Sequence, residues 1–208
     1  MSAFLGKIHF LLYNKIQVQE KLQEETLKFA EENSIPVEEL KLKINEKYGY
    51  PETTPLEQVI NQDNIHGWLQ SKIKSVENRT ATAVTELVKT HKVNIEDIGK
   101  VYFQNGKKIM EDMVSEDLSP KDLYTIIFDN LLEGMPCDMV NEEIDESEDE
   151  FSWKTTRNIH LENWKNANGE ITNFYTLRDA WINGFLSTIG REYSYTRTED
   201  GYNKIRKE

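Results

Sequence analysis

Two histidines sit in matching sequence. Lys7-Ile8-His9-Phe10-Leu11-Leu12-Tyr13-Asn14-Lys15-Ile16 reads much like Asn64-Ile65-His66-Gly67-Trp68-Leu69-Gln70-Ser71-Lys72-Ile73. Ile, His, Leu, Lys and Ile recur in register, and Glu20 and Glu77 each follow their histidine by eleven residues. Imidazole suits zinc, iron or nickel, and carboxylates suit harder ions. Eleven residues are close to three helical turns, so each glutamate shares its histidine's face, roughly 16 Å further along. That is too far for one helix to bring both to one metal. Two antiparallel helices would bring His9 to Glu77 and His66 to Glu20, as bundles do when they build metal sites from facing helices. His9, His66, Glu20 and Glu77 are therefore the candidate ligands of a divalent transition metal. The blander account is a duplicated hairpin that carries two core histidines bonded to backbone or tyrosine.

A second set is Cys137, Asp138 and His160. A thiolate nucleophile needs a nearby base and a lowered pKa. Cys137 and His160 supply the residue types for catalysis, but downstream carboxylates would raise a thiol pKa. A free cysteine is more often a small buried hydrophobe. A third set is aromatic. Trp153, Trp164, Trp181, Tyr193 and Tyr195, with Arg178 and Arg197, have the make-up of a ligand pocket. Trp164, Arg178 and Trp181 are its candidate cofactor-binding residues. Core packing explains the same aromatics more economically. Phosphate loops, nucleophile elbows, His-Glu-x-x-His and Cys-x-x-Cys are absent, so the motifs name no reaction.

The elements that would position these groups follow from periodicity. Leu5, His9, Leu12, Ile16 and Glu20 share one face of a helix that Ser2 can cap and that runs to about Glu32. Pro36 opens a shorter helix ending at Gly49. Thr54-Pro55-Leu56-Glu57 is a capping box that starts another. Asp63 or Asn64 caps the second long helix, through Leu69, Ile73, Val76, Val84 and Leu87. Asn94 restarts the chain into a helix ending near Gly106. The match between the halves resumes here, Val37-Glu38-Glu39-Leu40 against Ile95-Glu96-Asp97-Ile98. Ser119-Pro120-Lys121-Asp122 begins a helix that stops before Gly134. Phe151, Trp153 and Thr155 alternate as a strand. Thr172–Ile189 is helical, with Gly190 as its stop. Tyr193, Tyr195 and Arg197 alternate, and Asp200-Gly201 is a hairpin turn towards a final strand.

The expected fold is mainly α: a duplicated helical-hairpin bundle, then a small α+β part with an antiparallel sheet. Residues 1–115 would hold two hairpin copies, about 1–54 and 55–110. Residues 116–208 would hold a helix, an acidic loop and the sheet.

Charge narrows the partners. The chain of 208 residues carries −12, and eight acidic residues between Asp138 and Glu150 supply two thirds of it. No Lys/Arg stripe is present, which argues against nucleic acid and an anionic membrane surface. No apolar run reaches the length of a membrane span, and the first residues lack the features of a signal peptide. A single cysteine fits a reducing cytoplasm. The expectation is a soluble cytoplasmic metal- or small-ligand-binding protein with paired core-facing histidines. The alternative is a non-catalytic scaffold that meets a protein partner through its helical surface and acidic segment. The Asn78-Arg79-Thr80 sequon would go unused in such a compartment.

Overall fold

The structure, a computed structural model, describes residues 5–112, 118–189 and 193–208. It is mainly helical, with a small antiparallel sheet towards the C-terminus. Helix α1 (Lys7–Glu32) and helix α4 (Ile65–Lys89) are the two long rods. Between them lie α2 (Glu38–Tyr48), which ends on Gly49, and the single turn α3 (Leu56–Val59). Helix α5 (Ile95–Glu111) is followed by α6 (Pro120–Asn130). Strands β1 (Asn141–Glu146) and β2 (Glu150–Thr155) come next. Helices α7 (Leu161–Asn166) and α8 (Ile171–Leu186) then precede β3 (Tyr193–Arg197) and β4 (Tyr202–Lys207).

Local chemistry sets some of the boundaries, though the expected Thr54 capping box does not form at α3, whose cap residue is Pro55. The Asn64 side chain accepts from the Gly67 amide and caps α4. Ser119 and Asp122 cap α6 reciprocally, with Pro120 in the first turn. At the start of α1 the cap residue is Gly6, whose amide donates to His9 Nδ1 at 2.9 Å. The expected Ser2 cap and Gly190 stop lie outside the described residues.

The long helices run parallel, and the antiparallel expectation is corrected. His9 meets His66, Tyr13 meets Trp68 and Gln19 meets Thr80, each pair advancing together along both helices. The physical reason lies in the return segment. Helix α1 is about 39 Å long, and residues 33–64 lead the chain back to its starting end. The shorter helices cross over: α2 packs on α4, and α5 packs on α1.

Two further expectations are corrected. Gly106 does not end α5, which continues to Glu111. A Cβ there would lie 2.2 Å from the Trp181 carbonyl oxygen, so this glycine serves close contact between α5 and α8. The acidic segment is not simply a loop. Its residues 141–146 form edge strand β1, which pairs with β2 on both sides of a register shift between Glu143 and Asp145. The short helix α7 was not anticipated.

The sheet order is β1-β2-β4-β3, and every neighbouring pair is antiparallel. Its covered face packs Phe151 and Trp153 against Tyr124 and Phe128 of α6, and Tyr195 stacks on Trp153. One apolar core runs from Leu22, Ala81 and Ile98 through Trp181 and Phe185 to Trp153 and Ile205. A second, smaller cluster joins Leu12, Ile16, Leu69 and Ile73 at the start of the long helices. Among the described residues no helix is long and apolar enough to cross a membrane.

Candidate functional site

The four proposed metal ligands do not come together. His9 and His66 are neighbours, with ring centroids 5.6 Å apart. Because the helices are parallel, Glu20 and Glu77 lie well along the rods from that pair. Glu20 instead accepts from Arg79 of α4. Glu77 lies 2.8 Å from His160 Nδ1, and its other oxygen accepts from Asn163 Nδ2 at 2.6 Å. Among the described residues no three His, Cys, Asp or Glu side chains gather as a metal ion would require. His66 is exposed, and His9 spends its Nδ1 on the α1 backbone.

The chemistry concentrates where α4, the segment after α6, and α7–α8 meet. Glu133 sits between the end of α6 and Gly134, whose φ of +76° makes the turn. That left-handed φ favours glycine, and a Cβ here would also lie 2.6 Å from both Asp138 Oδ2 and Ile159 Cδ1. Asp138 Oδ2 accepts from the Met135 amide at 2.7 Å and secures the same turn. His160 stands at the start of α7, stacked on Phe174 with 4.0 Å between centroids. Its Nδ1 faces Glu77, and its Nε2 lies 3.3 Å from Glu133 Oε2. Arg178 of α8 donates from Nε to Glu133 Oε1 at 2.6 Å. The order of charge is therefore Glu77, His160, Glu133, Arg178, two negative and two positive.

The row continues into the sheet. Arg178 Nη1 donates to Tyr195 Oη at 2.9 Å, and the single Tyr195 hydroxyl proton has Asp179 Oδ1 at 3.0 Å and Asn203 Oδ1 at 2.9 Å as alternative acceptors. Asp179 Oδ2 accepts from Arg197 Nε at 2.8 Å. These bonds tie the helical body to β3 and β4. Arg178 Nη2 is buried and has no hydrogen-bond partner.

Burial and pairing oppose each other at these groups. Burial alone would drive His160 towards neutrality, but Glu77 and Glu133 outweigh it and raise its pKa from 6.5 to about 9. Burial would raise Glu133, but Arg178 and His160 outweigh that and lower it from 4.5 to about 2. Both carboxylates thus favour the imidazolium form of His160.

The sign for stability follows. The stabilisation from charged His160 is complete below pH 6.5 and is lost as pH rises through about 9. That from ionised Glu133 is complete above pH 4.5 and is lost as pH falls towards about 2. Urea-melt stability is expected to be highest between these limits and to decline on the alkaline side. A His160→Gln variant is expected to lose the alkaline decline. Identical slopes in the two proteins would contradict the assignment.

A cavity of about 40 Å³ opens beside the row. Glu77, Glu133, His160, Trp164, Phe174 and Arg178 contribute to its wall. Of the predicted ligand-binding residues, Trp164 and Arg178 are here. Trp181 is not: its indole donates to Asn105 Oδ1 at 2.9 Å, and its ring stacks on Phe185 in the α5–α8 seam. His160 is here as well, but not as the partner of a nucleophile. Cys137 is exposed, and both ring nitrogens of His160 are turned to carboxylates. Sequence reasoning missed Glu133 and Arg79. For Glu133 the available signal was a charged residue directly after Leu131-Leu132 and before a glycine; Arg79 lies in the polar stretch Glu77-Asn78-Arg79-Thr80, which gives no local signal.

No protein-family model matches the chain, and neither a curated protein nor a solved structure is similar to it.

Proposed function

We propose that this is a small-ligand-binding protein of the cytoplasm, and that its site is the cavity beside His160 and Arg178. The observation that carries the reading is that Arg178, which lines the cavity, holds a buried cationic donor, Nη2, without an acceptor. An unmade bond at a buried charged group is costly, and a ligand that supplies an acceptor recovers that cost. The row of four charges already balances. A charged occupant would bring an uncompensated charge into a poorly solvated place. The ligand class is therefore an uncharged molecule of a few non-hydrogen atoms, bearing a carbonyl or hydroxyl oxygen and an apolar remainder. Leu22, Leu131 and Leu177 supply apolar wall. An exposed free thiol at Cys137 suits a reducing compartment.

The test is a nuclear magnetic resonance titration with acetone, acetamide and 2-propanol, using acetate and methylammonium as charged controls. An uncharged probe is expected to shift the Arg178 Nε–H and Trp164 indole signals saturably. Leu132→Trp, which fills the cavity from its wall, is expected to abolish the shifts. If no uncharged probe shifts these signals, or if the filled variant responds like the wild type, the reading fails.

A further inference from the structure

A second cavity, of about 360 Å³, lies between α1, α2 and the segment at residues 51–53. That volume is within the range of small-molecule sites, roughly 300–1,000 Å³. Glu20, Gln23, Lys41, Asn45, Thr53 and Arg79 are among its lining residues. Arg79 reaches it from α4 and is 1% exposed. Its Nη1 donates to Gln23 Oε1 at 2.7 Å, and its Nη2 donates to Glu20 Oε1.

The pair is incomplete in a complementary way. Arg79 Nε lacks an acceptor, and Glu20 Oε2 lacks a donor. Breaking or under-bonding a buried ion pair is expensive, and apolar residues would fill such a place at least as stably. The missing acceptor and the missing donor belong to one ion pair on one cavity wall. A simple anion would satisfy Arg79 and be repelled by Glu20. A simple amine would do the reverse. One molecule carrying both a cationic donor and an anionic acceptor completes both bonds, and charge-assisted bonds are roughly twice as strong as neutral ones. The two open atoms are closed to solvent, so the ligand must displace a wall side chain. Gln23 shares that wall and accepts from Arg79 Nη1 at 2.7 Å, and if it gives way the second oxygen of the ligand's carboxylate replaces its bond. Half-buried Lys41, which already bridges Glu31 and Glu38, also lines the cavity.

We infer that this cavity binds a zwitterion of the α-amino-acid class, its ammonium on Glu20 Oε2 and its carboxylate on Arg79 Nε. The inference concerns a different cavity from the one beside His160 and does not rest on that reading.

Titration calorimetry of the whole chain with each of the proteinogenic amino acids tests it, with methylamine, acetate and acetamide as controls. At least one amino acid is expected to bind one-to-one, with every control weaker by about tenfold or more. Glu20→Gln is expected to weaken binding by about tenfold. Asn45→Trp, on the cavity wall of α2, is expected to abolish binding while the helical circular dichroism is retained. The second variant keeps the test decisive if Glu20→Gln does not fold. Failure of every amino acid to bind would overturn the proposal. So would equal affinity for acetamide or acetate, or wild-type affinity in folded Asn45→Trp.

Discussion

Replacing Glu133 with alanine is expected to destabilise the fold by about 3–5 kcal/mol. The carboxylate is the shared partner of His160 and Arg178, lying 3.3 Å from one and 2.6 Å from the other. Without it two cations face each other in a place that water hardly reaches. A whole domain is stable by about 5–15 kcal/mol, so this loss takes a large fraction of the total. Urea denaturation followed by circular dichroism measures it. Glu133→Gln keeps the shape and an oxygen for Arg178 while removing the charge, and a smaller loss is expected. It should also lower the pKa of His160, because one of the two raising carboxylates is gone. A change below about 0.5 kcal/mol for Glu133→Ala, typical of surface positions, would mean that the row does not hold the fold together.

The second large effect is expected where α5 crosses α8. Gly184→Ala would place a Cβ 2.0 Å from the Phe103 carbonyl oxygen, and Gly106→Ala would place one 2.2 Å from that of Trp181. Neither glycine has a positive φ. By helix propensity alone, alanine would stabilise each site by about 1 kcal/mol. Contact decides the sign, because the obstacle is backbone on the facing helix and cannot rotate away. Separating the two helices should cost about 1–3 kcal/mol or more at each site, as over-packing does. Thermal melts of the two single variants and the double variant measure this. The double variant should lose less than the sum of the singles, since the first substitution already parts the helices. A rise in melting temperature for either single variant would show that propensity wins and that the crossing is looser than described.

These glycines show how local and tertiary signals diverge. Within one helix, Gly106 reads as a terminator, because glycine is a poor helix former. Its use depends on Trp181, far along the chain. Elements with a strong period were legible. Helices α1 and α4 follow their Leu/Ile/Val spacing, α8 follows Leu177, Trp181 and Phe185, and β2 follows the alternation of Phe151, Trp153 and Thr155. Strand β1 was not legible. Asn141–Glu146 carries four carboxylates and one apolar side chain, so composition reads as solvated loop. Its pairing with β2 supplies what its own residues do not.

The candidate site was legible only in pieces. His160, Trp164 and Arg178 stood out as residue types, but their partners did not. Glu77 meets Asn163 across 86 residues, and Glu133 meets Arg178 across 45. Nothing in a local pattern encodes such pairs. The repeated His9 and His66 drew attention because self-similarity is visible along a sequence, and the structure does set them side by side. Their glutamates went elsewhere because the relative direction of α1 and α4 is fixed by the return path, which spacing within either helix does not report.

The central claim is that Glu77, His160, Glu133 and Arg178 form a charge-balanced row with His160 as the imidazolium. Nitrogen-15 chemical shifts of the His160 ring, followed across a pH titration, test it most directly. The account predicts two protonated ring nitrogens at neutral pH and a midpoint near pH 9. A neutral tautomer at neutral pH, with a midpoint at or below 6.5, would contradict it.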